Sequence, residues 1–138
     1  MGHFMNEIEN PKGHLLLRTL AMPADSNANG DIFGGWIMSQ IDLAGGMLAK
    51  ENSQGRVVTR HVSDILFKKP VEIGDVVCCY GECTKIGTSS MTIDLEVWVK
   101  PVTTEGVGKR YKVCEATFKY VAVNNLGRPR EINKDKKH

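Results

Sequence analysis

From Gly35 to Ala49 the chain reads GWIMSQIDLAGGMLA, about four helical turns in which Asp42 is the one formally charged residue before Lys50. Trp36, Ile37, Met38, Ile41, Leu43, Met47 and Leu48 spread around the wheel instead of forming one stripe. A helix of this kind must be covered on most sides, which makes it the centre of a fold and not a surface element. Asp42 is then a candidate buried acid, and a lone carboxylate among apolar neighbours is the natural place to look for chemistry.

Everything around this run reads as strand. His14 to Leu20 is short and apolar, ended by Pro23 and the polar stretch from Asp25 to Gly30. Lys50 to Gly55 forms a polar break after the helix. Val57 to Lys68 is a strand stopped by Pro70, and Gly74 and Asp75 turn the chain into a strand from Val76 to Ile86. Met91, Ile93, Leu95, Val97 and Val99 alternate with mostly polar residues, the clearest period of two in the chain. Arg110 to Val123 alternates likewise, with Ala116, Phe118, Tyr120 and Ala122 on one face. Long strands joined by short turns favour an antiparallel sheet with the helix on one face. The fold class is therefore α+β in the order β-α-β-β-β-β. Trp98, on the polar side of its strand, is either an interface anchor or a residue packed beneath a loop.

At 138 residues with 41% hydrophobic content the chain fits one domain. Residues 1–12 read as a flexible N-terminal segment, 13–126 as the domain, and 127–138 as a polar, solvated C-terminal tail. A net charge of +2 is too small for a dedicated nucleic-acid surface. No apolar run approaches the roughly 20 residues that span a bilayer, and no signal peptide is visible, so a cytoplasmic protein is expected. Cys78 and Cys79 point to opposite faces of a strand and no CxxC pair joins Cys83 or Cys114, so the four cysteines read as small strand residues and no metal site is expected. His14 and His61 fall in strands, leaving no partner for a Ser-His-Asp triad, and no serine sits in a G-x-S-x-G elbow.

The motif Asn27-x-x-Gly30-x-x-x-Gly34-Gly35, followed seven positions later by Asp42, resembles the hotdog-fold acyl-CoA thioesterases. The wording Ala21-Met22-Pro23, Asn27 through Trp36 and Ser39-Gln40-Ile41-Asp42 is similar to their YciA-type bacterial branch, as are Arg56-Val57-Val58-Thr59, Phe67-Lys68-Lys69-Pro70 and Gly74-Asp75 further on. The resemblance covers roughly residues 13 to 130. It implies a single-domain hotdog fold, a curved antiparallel sheet wrapped around one central apolar helix, and hydrolysis of acyl-CoA to coenzyme A and a carboxylic acid. No cofactor is implied beyond coenzyme A as part of substrate and product.

The residue types suit that chemistry. A thioester needs a positioned water, a base and donors for the oxyanion. The first N–H groups of a helix lack internal partners and lie at its positive end, so Gly34, Gly35 and Trp36 are the oxyanion candidates and Gly35 is counted with the catalytic set. Asp42 serves as general base or as nucleophile through an anhydride, and the sequence leaves both routes open. The Asn27 amide can orient water or carbonyl, or it is a turn residue. By resemblance Asn27 and Asp42 of one site come from different subunits, so a dimer is the minimum unit and a trimer of dimers the expected assembly. Lys68, Lys69 and the turn Gly87, Thr88, Ser89, Ser90 are candidates for the coenzyme, the turn because it exposes backbone N–H groups. Two other functions fit less well. A hotdog dehydratase lacks its histidine and acid pair here, and a non-catalytic acyl-CoA sensor lacks an output module.

Overall fold

The computed structural model describes residues 10–132 of the chain. Five strands form one antiparallel sheet: β1 (His14–Leu20), β2 (Val57–Phe67), β3 (Val76–Ile86), β4 (Ser90–Lys100) and, after a small hairpin of β5 (Val102–Thr103) and β6 (Gly106–Val107), β7 (Tyr111–Ala122). Their order across the sheet is β1-β3-β4-β7-β2, which makes β1 and β2 the edges. The single α-helix, α1 (Gly34–Ser53), lies across one face and touches all five strands. This is the hotdog arrangement, helix inside and sheet around it.

The period-2 reading of β4 holds residue by residue. Met91, Ile93, Leu95, Val97 and Val99 are all buried under the helix, as are Ala116, Phe118, Tyr120 and Ala122 of β7. Cys79 and Cys114 sit in register on either side of Val97 and are buried in the same core. Burial pushes the Cys79 thiol up to about 12 and Cys114 up to about 11, so both stay protonated. Trp98 is also buried, with its indole N–H donating to Glu96 Oε1 at 2.9 Å and the Arg110 guanidinium 5.9 Å above its ring. It packs within its own chain, which leaves no anchor to present to a neighbour.

Three expectations are corrected. Lys50 to Ser53 is not a break: α1 continues to Ser53, because Asn52 and Ser53 are buried and Gln54 then closes the helix with a left-handed φ of 56°. The residues from Gly127 to Ile132, though mostly exposed, are anchored at Arg130 and Ile132. Arg130 donates to Ser53 O, Ser53 Oγ, Val123 O and Arg56 O at 2.9 to 3.2 Å, and Ile132 is 3% exposed in the core. At the other end Lys12 N reaches Glu96 Oε1 and Asn10 accepts from Arg110, so residues 10–12 are tied to the sheet. The outer ends of both expected segments, 1–9 and 133–138, lie outside the described residues. Third, α1 is covered on one face only. Ile37, Ile41, Ala44, Gly45 and Ala49 face the sheet, while Leu43 and Met47 on the far side are 54% and 38% exposed.

Arg130 places a cation against the last carbonyls of α1, where the helix dipole favours it. Arg130→Met, which keeps the bulk and removes all five donors, is expected to cost about 2 kcal/mol, the scale of a charged hydrogen-bond set. Thermal unfolding checks this, and Arg130→Lys should recover little because a single ammonium cannot serve four acceptors in different directions.

Candidate active site

Asp42 is exposed in the protomer, which corrects the expectation of a buried acid. It stands one residue past Ile41, the helix position that is fully buried, and so lies at the flank of α1 instead of beneath it. Its surroundings are nonetheless organised. Thr59 Oγ1 donates to Asp42 Oδ1 at 2.6 Å, and the Tyr120 hydroxyl lies 3.1 Å from the same oxygen and 3.0 Å from the Asp42 main-chain carbonyl. Thr59 and Tyr120 are paired across β2 and β7, so one rung of the sheet delivers both hydroxyls. A bulge at Arg60 follows directly, where β2 shifts register between Thr59 and His61, a device that re-aims a side chain next to it. Among the described residues no partner reaches Asp42 Oδ2.

Two hollows meet at this carboxylate. One of about 350 Å³ runs along Leu43, Gly46, Met47 and Lys50, and one of about 250 Å³ lies toward Met38, Ser39, Val62 and Phe118. Both have Asp42 and Thr59 in their walls, and the exposed Leu43 and Met47 make the larger one apolar. Thr59 and Tyr120 are the site residues the sequence reading missed. Tyr120 carried one signal, a hydroxyl on the apolar face of a period-2 strand.

The helix start is open in the way an anion site requires. Phe33 precedes α1 and no side chain caps it. Trp36 N and Ile37 N both donate to Phe33 O, at 3.1 and 3.2 Å. Trp36 is thereby removed from the oxyanion candidates, and Gly34 and Gly35 keep their N–H groups without acceptors among the described residues. A Cβ added at Gly35 would meet nothing within 4 Å beyond its own helix and chain neighbours, whereas one at Gly34 would stand 3.5 Å from the Phe67 ring. A cleft of about 360 Å³ brings Gly34 together with Phe67, Lys68 and Lys69.

The other candidates are more dispersed. Asn27 Oδ1 accepts from Asn29 N and Asp31 N at 2.9 and 3.1 Å, so the turn role is real. Its Nδ2 keeps two donors. No hydrogen bond joins Asn27 to Asp42 within the protomer, and neither hollow at Asp42 reaches Asn27. Lys68 pairs with Glu115 at 3.1 Å, and Lys69 stands 5.1 Å over the Tyr111 ring. In the turn, Gly87 N is already spent on Ser90 O, and Ser90 opens β4, which leaves the Thr88 and Ser89 amides. The C-terminal segment braces this turn through Ile132 N donating to Thr88 O. The Lys68 and Lys69 cleft does not extend to it. His14 and His61 are exposed strand residues away from the Asp42 carboxylate. Among the described residues no group of three or more His, Cys, Asp and Glu side chains could hold a metal ion, and no helix is long and apolar enough to cross a membrane.

Glu115 accepts from Lys112 at 3.0 Å and from Lys68, and these hydrogen bonds, Lys112's first, hold its carboxyl below the ordinary value of 4.5. A group with a depressed folded value stabilises above its unfolded value, and that contribution is lost as pH falls through the folded one. Glu115→Gln should therefore cost about 1 kcal/mol or less of stability at pH 7 for so exposed a set, read as a lower thermal midpoint. The wild-type and variant midpoints should converge as the pH is taken below 4.5.

Comparison with known proteins agrees with this geometry. Residues 29–105 match the model of the Thioesterase superfamily. The chain is 61% identical over 122 residues to YciA, an acyl-CoA thioester hydrolase of Escherichia coli, covering 88% of this chain and 92% of that one. A crystal structure of a hexameric broad-specificity acyl-coenzyme A thioesterase superposes with a TM-score of 0.87 at 59% identity, over 94% of this chain and 87% of the other. The hexameric thioesterase y2039 of Yersinia pestis superposes at 0.86 with 60% identity, over 90% and 99%. With its lone helical aspartate, its uncapped Gly34-Gly35 helix start and its five-stranded wrap, the chain belongs to the thioesterase superfamily, among the YciA-type acyl-CoA thioester hydrolases of hotdog fold.

Proposed function

We propose that the chain hydrolyses acyl-CoA to coenzyme A and a carboxylic acid, at a site shared by two copies. The observation that carries this is the Asp42 carboxylate, which lines an open apolar hollow and is held by two hydroxyls through Oδ1, with no hydrogen bond from the described residues on Oδ2. A thioester carbonyl entering beside it receives a water activated by Asp42, or is attacked by the carboxylate itself. The oxyanion that forms is met by the amides of Gly34 and Gly35 of the second copy, since those of the same copy lie two turns, about 11 Å, along α1 from Asp42. Collapse of the tetrahedral species breaks the C–S bond and releases coenzyme A as its thiol.

Asn27 completes the site from the second copy, offering its Nδ2 donors to the water or the carbonyl while Oδ1 keeps its own loop in shape. The one-sided cover on α1 supports a dimer, since the exposed Leu43 and Met47 demand an apolar neighbour. The structural relatives at 59% and 60% identity are hexameric, which favours the trimer of dimers. Lys68 and Lys69, close to Gly34, supply positive charge for coenzyme phosphates, with the Thr88 and Ser89 amides as a second, weaker contact. The cytoplasm is the compartment that suits buried thiols and an acyl-CoA substrate. The test is steady-state release of coenzyme A thiol from acyl-CoAs of short, medium and long chain. Turnover by the wild type is expected, and its absence with every chain length overturns the reading.

A further inference from the structure

We propose that Tyr120 is a positioning residue for Asp42: together with Thr59 it pins Oδ1 and so selects Oδ2 as the oxygen that takes the proton from water or attacks the thioester. The proposal rests on the reading of Asp42 as base or nucleophile. Both hydrogen bonds to the carboxylate end on the same oxygen, at 2.6 Å from Thr59 and 3.1 Å from Tyr120. Oδ2, without a hydrogen bond among the described residues, keeps the lone pairs that the reaction needs.

The Tyr120 hydroxyl is built for this place. Its ring is 1% exposed and stacked against Phe118 at 6.0 Å between centroids, so the oxygen has little freedom to leave. It reaches the flank of α1 because residue 45 is glycine. A Cβ there would run into the Tyr120 oxygen and stand 3.0 Å from Leu95 Cδ1, closer than side chains pack. Burial, with the Asp42 charge and hydrogen bond added, raises the phenol above its ordinary value, so it remains a donor at every working pH. Its one proton also has two acceptors within reach, Asp42 Oδ1 and the Asp42 main-chain oxygen at 3.0 Å. When Oδ2 gains a proton and the carboxylate loses its charge, the Tyr120 proton can swing to the main-chain oxygen without leaving either group unpaired.

Tyr120→Phe removes only the oxygen. Acyl-CoA hydrolysis by this variant should show kcat lowered roughly tenfold, the scale of one hydrogen bond to a charged group, with KM within about twofold of wild type. A kcat within about twofold of wild type overturns the proposal, and so does a loss expressed wholly in KM. Asp42→Ala, assayed beside it, separates the two levels. If Asp42→Ala retains full turnover the underlying reading fails, whereas an inactive Asp42→Ala with a fully active Tyr120→Phe sinks the positioning role alone. A thermal cycle gives a second measurement independent of turnover. Tyr120→Phe should lower the midpoint more in the wild-type background than in Asp42→Ala, and equal lowering in both overturns the coupling.

Discussion

Replacing Asp42 by alanine is expected to lower kcat for acyl-CoA hydrolysis at least about a hundredfold, the ordinary contribution of a positioned base. Among the described residues Asp42 is the only acid lining the two hollows, and no histidine lines either of them. Stability should change little, because Asp42 is exposed and the apolar contacts of α1 come from Ile37, Ile41, Ala44 and Ala49. Asp42→Asn sharpens the result. An amide oxygen still accepts from Thr59 and Tyr120, so the local geometry survives, yet the group neither takes a proton nor attacks a thioester. Rates of the two variants should fall together while the thermal midpoint of Asp42→Asn stays near wild type. A rate within twofold of wild type in either one would falsify the role of the acid.

The second large effect is recovery of activity from two inactive chains. Asn27→Ala and Asp42→Ala each damage every site in their own homodimers. If Asn27 and Asp42 of one site come from different chains, a mixed dimer holds one doubly damaged site and one intact site. Random pairing in a co-expressed sample makes half the dimers mixed, so about a quarter of wild-type activity should return. A site confined to one chain restores nothing, because no protomer in the mixture carries both residues. Asn27→Asp is the useful companion, since its Oδ1 preserves the turn to Asn29 and Asp31 while the Nδ2 donors are lost. Measured activity of the mixture against the separately purified parents distinguishes the two arrangements.

Most of the fold was legible because strands with one buried face announce themselves at a period of two, and β4 follows that rule everywhere but at Trp98, which is buried on the other face. The helix was legible for the opposite reason, a run of four turns with Asp42 as its one charged residue. Its end was misread because Lys50, Glu51, Asn52 and Ser53 are polar in composition, while Asn52 and Ser53 are buried and Ser53 is held by Arg130, 77 residues away in sequence. Asp42 could be singled out as chemistry-bearing, but its exposure could not, since that depends on which flank of α1 turns from the sheet. Thr59 and Tyr120 were invisible as a pair. Their meeting is a matter of register between β2 and β7, and two bulges in β2 shift that register in a way no alternation reveals. The β5 and β6 hairpin escaped notice because two residues per strand are too few to show a pattern.

The bare start of α1 limits how this enzyme can be improved. Most helices gain about 1 kcal/mol from a Ser, Thr, Asp or Asn that accepts from their first amides. Phe33 forgoes that gain, and a thermostability screen would find position 33 attractive for it. On the proposed oxyanion role, the side-chain oxygen that satisfied those amides would occupy the space of the thioester oxygen, and an aspartate would set a fixed negative charge where a transient one forms. Robustness and turnover would then pull in opposite directions at this one residue, and the unfinished helix start would be the form that activity favours.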